Sequence, residues 1–440
     1  MELIEPTYNQ YVGHPFVCLP ETKVRKIRQT EPSAPHSPSR RRMRGGEPVL
    51  LGGGPGRSRS PRNRPASEQR AAFLHPAAPT FVFYPYFCRK IPKTMLHFES
   101  DYMEGAHPRI LERLAETNFE RTAGYGADPY SERARQRIRA ACGCPDAAVF
   151  FTVGGTQTNA VAADALLRPW QGVLAAESGH IGVHEAGAIE ATGHKVLTLP
   201  HRDGKLRAAE VEAWIRRFYA DANFEHMVAP GMVYVSHPTE WGTLYTRAEL
   251  EALRDVCRRH GIPLYLDGAR MAYALAAEGT DVGLETVAAC CDVFYIGGTK
   301  CGALFGEAVV FPDPALAAHF FSVAKRRGAV LAKGRLLGIQ FDTLFADGLY
   351  MRLGARADAL AAKLRRALAD KGYELRAANP TNQIFVVVEN ERLAELSERA
   401  GCAFWEAADE HRTVVRFALG WDARASDVDE LIALLEPRTP

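Results

Sequence analysis

From about residue 130 to residue 312 the chain alternates short apolar runs with longer amphipathic segments, a rhythm that constrains its fold more than any other feature. The runs are AAVFFTV (147–153), GVLAAE (172–177), KVLTL (195–199), GMVYVS (231–236), IPLYLDG (262–268), CDVFYIGG (291–298) and EAVVFP (307–312). Helical patterns occupy 131–142, 156–167, 184–192, 206–220 and 246–261. Unbroken apolar strands between helices predict a mostly parallel sheet with both faces covered, since a strand buried on both sides needs no polar alternation. Beyond about residue 335 the character changes. A long helical stretch runs to Asp370, strand patterns follow at 382–389 and 413–419, and ASDVDELIALLE closes as a helix. The expected organisation is a large α/β domain over 95–335 and a small C-terminal α+β domain over 336–440.

Residues 1–94 differ from this body. They hold 14 of the 27 prolines, 16 Lys+Arg against 6 Asp+Glu, and the runs RRRMRGG (40–46) and LGGGPGRSRSPRNRP (51–65). Such a segment buries too little apolar surface to offset the entropy of ordering it, so it is expected to be disordered. A basic arm for nucleic acid, an organelle presequence and an extension without a role, ahead of Met95, all remain open for it. The rest of the chain holds 38 Lys+Arg against 46 Asp+Glu, and a mildly acidic body gives no reason to expect nucleic acid as its partner. No run approaches the roughly 20 apolar residues that span a bilayer, and MELIEPTYNQ does not read as a secretory signal. The nine cysteines are scattered and form no metal-ligand framework, as expected of reduced thiols in a cytoplasmic protein.

Ligands of a parallel α/β sheet gather beyond the carboxyl ends of its strands, and four such positions carry chemistry. Gly154, Gly155 and Thr156 follow the first run and open a helix, where backbone N–H groups and the dipole suit a phosphate; the same triplet is also an ordinary helix start. His180 follows the second run and could stack on a flat ring or simply be solvated. Asp267 ends a buried strand, a costly place for a carboxylate without a charged partner; a protonated pyridine nitrogen is one such partner, and capping the next helix is the plainer role. Lys300 lies in the glycine-flanked turn YIGGTKCG, where an amine can form an imine with a cofactor aldehyde or sit on the surface. Phosphate loop, ring, carboxylate and lysine in this order are what a pyridoxal 5'-phosphate (PLP) site requires.

At these residues the chain resembles the low-specificity threonine aldolases, fold-type I PLP-dependent enzymes with a transferase-like fold. The resemblance runs from about His97 to the end. LDGAR (266–270) is its most specific piece, with SGHIGVHEAGA (178–188), Ser100-Asp101 and GYGADPY (124–130) in support. It implies that Lys300 is the Schiff-base lysine, that Asp267 partners the pyridine nitrogen, and that His180 stacks on the ring and serves the substrate hydroxyl. Gly155 and Thr156 would hold the phosphate; Arg270, Ser100 and Arg416 would fix the substrate carboxylate and neighbouring cofactor oxygens; Tyr125 would line the pocket. The family's arginine that reaches a neighbouring subunit's phosphate has no direct match in RRGAVLAKGRLLG (326–338), which leaves Lys333 or Arg335 for that role. HPTEWGT (237–243) departs from the family's His-Asn-rich loop, although His237 is kept.

The resemblance implies cleavage of a β-hydroxy-α-amino acid to glycine and an aldehyde by a homodimer or homotetramer with shared active sites, with neither nucleic acid nor membrane as partner. Another PLP reaction on the same frame (β-elimination, racemisation or transamination) is the nearest alternative. A nucleic-acid-binding protein that has lost catalysis is the alternative from a different class.

Overall fold

The computed structural model describes residues 95–437, so the basic extension and its expected disorder lie outside the described residues. A two-residue strand β1 (Leu96–His97) precedes helices α1 (Pro108–Glu116) and α2 (Pro129–Cys142). The alternation follows as β2 (Ala148–Thr152), α3 (Gly155–Leu166), β3 (Gln171–Ala176), the single turn α4 (His180–Val183), β4 (Val196–Leu199), α5 (Ala208–Ala220) and β5 (Ala229–Ser236). It continues through α6 (Arg247–His260), β6 (Leu264–Asp267), α7 (Met271–Ala276), α8 (Leu284–Cys290), β7 (Val293–Gly297) and β8 (Glu307–Phe311). The remainder comprises α9 (Phe320–Arg326), α10 (Arg335–Leu344), α11 (Leu349–Asp370), β9 (Gln383–Glu389), α12 (Asn390–Ser397), β10 (Ala400–Gly401), β11 (Ala403–Ala407), β12 (Arg412–Ala418) and α13 (Ala425–Leu434).

All seven expected apolar runs are strands of one sheet, in the order β2-β8-β7-β6-β5-β3-β4. The pairs from β7 to β4 are parallel, and β8 runs antiparallel to both β2 and β7. Side chains alternate between two cores. Met232, Tyr234, Val293 and Tyr295 enter one, while Val233, Val235, Phe294 and Ile296 enter the other. Each fully buried aliphatic or Phe side chain contributes about 1.5–3 kcal/mol, so both faces must be covered for the strands to be this apolar.

A second sheet, β11-β12-β9, is antiparallel and has its own core. Helix α11 links the cores, with Leu353 and Ala357 in the first and Ala361, Leu364 and Leu368 in the other. The N-terminal strand β1 pairs in parallel with β10, so the start of the described chain lies with its C-terminal part.

Local chemistry explains most boundaries. Helix α6 starts at a reciprocal Thr246–Glu249 capping box and stops at Gly261 in the left-handed conformation. Two expectations fail. No helix spans 184–192, because Ala186 and Gly187 are left-handed (φ 51° and 73°) and only a 3₁₀ turn, Glu190–Thr192, remains. The long helix expected from 335 is broken where Asp347 and Gly348 are left-handed (φ 53° and 66°). Strand β11 was not foreseen. Its AFWEA run mixes charge with aromatics and carries a register shift between Phe404 and Glu406.

Helix α10 crosses α2 so closely that a Cβ on Gly338 would stand 2.5 Å from the Ser131 nitrogen and 2.6 Å from its Cα. Gly338→Ala is therefore expected to lower stability by about 1–3 kcal/mol, the usual range for overpacking, read as an earlier urea midpoint. An unchanged midpoint would mean that the two helices can part without loss.

Candidate active site

Strand β6 delivers Asp267 to the edge of the sheet, 5% exposed. Its Oδ2 accepts from the Tyr234 hydroxyl at 2.7 Å and the Asn159 amide at 3.0 Å. Its Oδ1 accepts from the Tyr295 hydroxyl at 2.5 Å and the Ala269 N–H at 3.0 Å. Burial by itself pushes this carboxyl up, but the nearby His180 imidazole and the hydroxyl and amide donors outweigh it and hold the group below the usual carboxylate range. The result is a buried anion fixed by neutral donors, which can receive a cationic pyridine nitrogen.

Asn159, on α3, extends the network. Its oxygen accepts from the Tyr265 hydroxyl at 2.7 Å and its amide also donates to Glu185 at 2.7 Å. The same Glu185 oxygen holds His180 Nδ1 at 2.7 Å, which fixes the imidazole. The left-handed backbone that replaces the expected helix at 184–192 is what turns Glu185 inward.

Asp267, Tyr295, Glu185 and His180 line an inner cavity of about 190 Å³. At one side Gly154, Gly155 and Thr156 open α3, whose first turn has no side-chain cap, so its N–H groups can take a phosphate. A Cβ on Gly155 would stand 2.9 Å from the Tyr295 hydroxyl, so the glycine lets helix and strand approach. Lys300 lines the same cavity, with its carbonyl held by the Tyr273 hydroxyl at 2.6 Å. Burial, then the Arg270 guanidinium, bring its amine below the usual lysine range against the opposing pull of Asp101, Asp267 and Glu307. A larger share of neutral amine makes it a better nucleophile. Phosphate end, anion and lysine share one cavity, and these residues fit PLP.

An outer cavity of about 890 Å³ adjoins the inner one and reaches Arg416, Trp241, Phe404 and Trp405. The arginines at this end differ. Arg270 is in a bidentate pair with the buried Asp101 (Nε–Oδ2 2.6 Å, Nη2–Oδ1 2.9 Å), and Asn382 donates to the same carboxylate at 2.9 Å. Arg416 donates only to neutral partners, Gln383 Oε1 and the Glu99 carbonyl, each at 3.1 Å. Its Nε is buried without a partner among the described residues. Arg416 can therefore accept a substrate carboxylate, whereas the charge of Arg270 is already paired with that of Asp101.

Four residues singled out in the sequence line neither cavity. The Ser100 hydroxyl is buried without a partner among the described residues and lines neither cavity; the adjacent Asp101 makes the contact to Arg270. Tyr125 lies on another pocket with Gly126 and Phe321, its ring 4.0 Å from Lys325 Nζ. Lys333 is exposed on the adjoining loop, and Arg335 is bound to the carbonyls of Asn118 and Glu120.

Sequence reasoning missed Asn159, Glu185, Glu240, Glu307 and the three tyrosines. The tyrosines did leave a signal. Each sits in an otherwise apolar strand, where a buried hydroxyl needs a partner, and Tyr265 stands two residues before Asp267, on the same face. Glu307 opens β8, accepting from the Thr299 hydroxyl at 2.9 Å and the Gly298 N–H at 3.2 Å; burial pushes its carboxyl up to about 8 against those donors.

A sheet of this order with a lysine and an anion at its carboxyl edge defines a fold-type I PLP enzyme. Aspartate aminotransferase of Thermus thermophilus has the same fold, with a TM-score of 0.58 at 15% identity over 78% of this chain and 91% of that one. Family resemblance is closer elsewhere. The sequence profile described as beta-eliminating lyase matches residues 97–391. A low specificity L-threonine aldolase from a Pseudomonas species is 31% identical over 76% of this chain and 96% of its own length. A threonine aldolase structure from Leishmania major is 42% identical, with a TM-score of 0.75 over 77% of this chain and 98% of that chain. The chain belongs to the beta-eliminating lyase family, among its low-specificity threonine aldolases. It is a PLP-dependent carbon–carbon lyase.

The Asp101–Arg270 pair yields a stability prediction. Asp101→Asn leaves a buried guanidinium uncompensated and is expected to cost about 3–5 kcal/mol. Despite burial, which raises it, Arg270, Lys300 and Arg416 hold the Asp101 carboxyl well below the usual range. A depressed carboxyl stabilises the fold above its unfolded pKa of about 3.9, and that contribution is lost as the pH falls towards the folded value. The stability gap between wild type and variant, from denaturant melts, should therefore narrow below about pH 4. A gap independent of pH would show that the charge of Asp101 is not what stabilises the site.

Proposed function

We propose that the protein cleaves β-hydroxy-α-amino acids of the threonine type into glycine and an aldehyde. The observation that carries this reading is the position of Lys300, at the junction of the cavity that ends in Asp267 and the cavity that ends in Arg416. Cofactor on one side and substrate carboxylate on the other put the amino acid's Cα beside the lysine.

In this reading Lys300 carries the cofactor, Asp267 faces the pyridine nitrogen, His180 stacks on the ring, and Gly155 and Thr156 hold the phosphate. Bound PLP supplies an electron sink for the pair left on Cα when one of its bonds breaks. Arg416 binds the substrate carboxylate, and Arg270 steadies that end through its pair with Asp101. Fixing the carboxylate would set which bond at Cα is placed to break, and positioning of this kind decides the reaction. For an aldolase that bond is Cα–Cβ, with a base removing the β-hydroxyl proton as it breaks.

We further propose a homodimer or homotetramer. Tyr125 and Lys333 belong to one surface: the Tyr125 N–H donates to the Ala332 carbonyl at 3.1 Å, and Gly334 packs against Gly126. Phe119 (93% exposed) and Phe321 (45% exposed) add apolar area that a second copy could cover. In such an assembly Tyr125 and Lys333 serve a neighbouring copy's pocket. The unpaired cysteines among the described residues fit a reducing compartment such as the cytoplasm.

The test is an absorbance spectrum of protein expressed with PLP, for wild type and Lys300→Ala, followed by threonine. Wild type should carry a visible band that the variant alters, and threonine should yield acetaldehyde and glycine. Pyruvate or a keto acid in place of the aldehyde would move the assignment to elimination or transamination. Folded protein with no band would remove Lys300 from its role.

A further inference from the structure

Five residues line both cavities: His180, Glu240, Arg270, Thr299 and Lys300. They form the neck between cofactor and substrate ends, so the atoms that react must lie among them. We propose that Glu240 is the catalytic residue that accepts the proton of the substrate's β-hydroxyl; this rests on the aldolase reading above.

The other neck residues are committed. Arg270 is permanently charged and bound to Asp101. The Thr299 hydroxyl donates to Glu307 at 2.9 Å and accepts from the Gly306 N–H at 3.0 Å. Lys300 carries the cofactor, and His180 is held at Nδ1 by Glu185 with its flat ring given to stacking. Glu240, from the loop HPTEWGT, is different. Its Oε1 accepts from the His180 N–H at 2.9 Å and the Ser236 hydroxyl at 2.7 Å, and the residue lines both cavities, so Oε2 is offered to the neck.

The Ser236 contacts show where a proton can be accommodated. Its oxygen is 2.7 Å from Glu240 Oε1 and 3.1 Å from the Tyr234 oxygen, while the Tyr234 hydroxyl donates to Asp267. A hydroxyl has one proton to give. With Glu240 ionised, Ser236 donates to Glu240. With a proton on Glu240 Oε2, Oε1 remains an acceptor and keeps its bonds from Ser236 and the His180 N–H. One geometry therefore serves both protonation states, as an acid that cycles between them requires. Burial, with the Asp267 charge behind it, holds the Glu240 carboxyl above the usual range against the Ser236 and N–H donors, which makes it a stronger base.

The step balances. Glu240 takes the hydroxyl proton while the O–H pair becomes the second bond of the aldehyde C=O. The Cα–Cβ pair remains on the glycine fragment, and the Lys300 ammonium returns one proton to Cα. Glu240 then releases its proton to water in the outer cavity, so substrate gives glycine and aldehyde with no other reactant.

The test compares two reactions of the PLP-loaded enzyme, threonine cleavage and exchange of the glycine α-proton with deuterated water; only the first needs a β-hydroxyl base. Glu240→Gln is expected to slow cleavage by at least about 100-fold, the lower range for general base catalysis, and to leave glycine exchange and glycine affinity, read by absorbance, within about threefold. Glu240→Asp, which keeps a carboxylate, should recover part of the cleavage rate. Without cofactor, Glu240→Gln should melt no lower than wild type, because a buried negative charge beside Asp267 has been removed. Cleavage near the wild-type rate overturns the proposal. So does equal loss of both reactions with a lowered melting temperature, which would make Glu240 a structural group. Wild type that exchanges glycine protons but releases no aldehyde from threonine or bulkier β-hydroxy amino acids overturns the aldolase reading, and the role of Glu240 with it.

Discussion

The bidentate pair between Asp101 and Arg270 joins three stretches of chain that are remote in sequence. Asp101 follows β1, Arg270 follows β6, and Asn382, which donates to the same carboxylate, precedes β9. Asn382 also donates to the carbonyl of Leu419, just beyond β12. One buried anion thus sets the distance between the large sheet, which presents Asp267 and Lys300, and the smaller sheet, which presents Arg416. Replacing such a pair with packed apolar groups can be neutral for stability. Here the pair also does what packing alone cannot: it fixes orientation through three directional bonds.

A second constraint is the sheet's own period. Tyr234 pairs with Tyr265 across β5 and β6, and Asp267 lies two residues beyond Tyr265 on that face. The pleat therefore gathers hydroxyls and carboxylate in one layer of the core. Electrostatic interactions are stronger in such low-dielectric surroundings, so donors from rigid strands can keep a buried carboxylate ionised before any cation arrives. Tyr265 acts one step back, through Asn159, and that amide also steadies Glu185 and so His180.

The strands and the order of the site were legible because they depend on local signals. Seven apolar runs became the seven strands, and Asp267, Lys300, His180 and the Gly154–Thr156 turn meet in one cavity. What escaped notice depends on backbone conformation and on pairing across the fold. HEAGAIEAT has helical spacing, but the reversal at Ala186 and Gly187 serves the contact of Glu185 with His180, which no local pattern reveals. The part played by Asp101, beside Ser100, shows only when its arginine is opposite, 169 residues further along the chain. Tyr125 and Lys333 are adjacent to each other rather than to the cavity, a relation visible only in three dimensions.

The neck also divides the molecule historically. Inward of it Asn159 ties three polar groups into one network, and a change there disturbs Tyr265, Glu185 and Asp267 together. Outward of it, Phe404 and Trp405 sit on the edge strand β11, where a bulge already interrupts the pairing. Phe404 is exposed there and can be exchanged with little effect on neighbours, whereas Trp405 packs on Trp241 and Phe385. A lineage built on this plan can drift in what it accepts while its cofactor chamber stays under constraint, so diversity among descendants should collect along one edge strand.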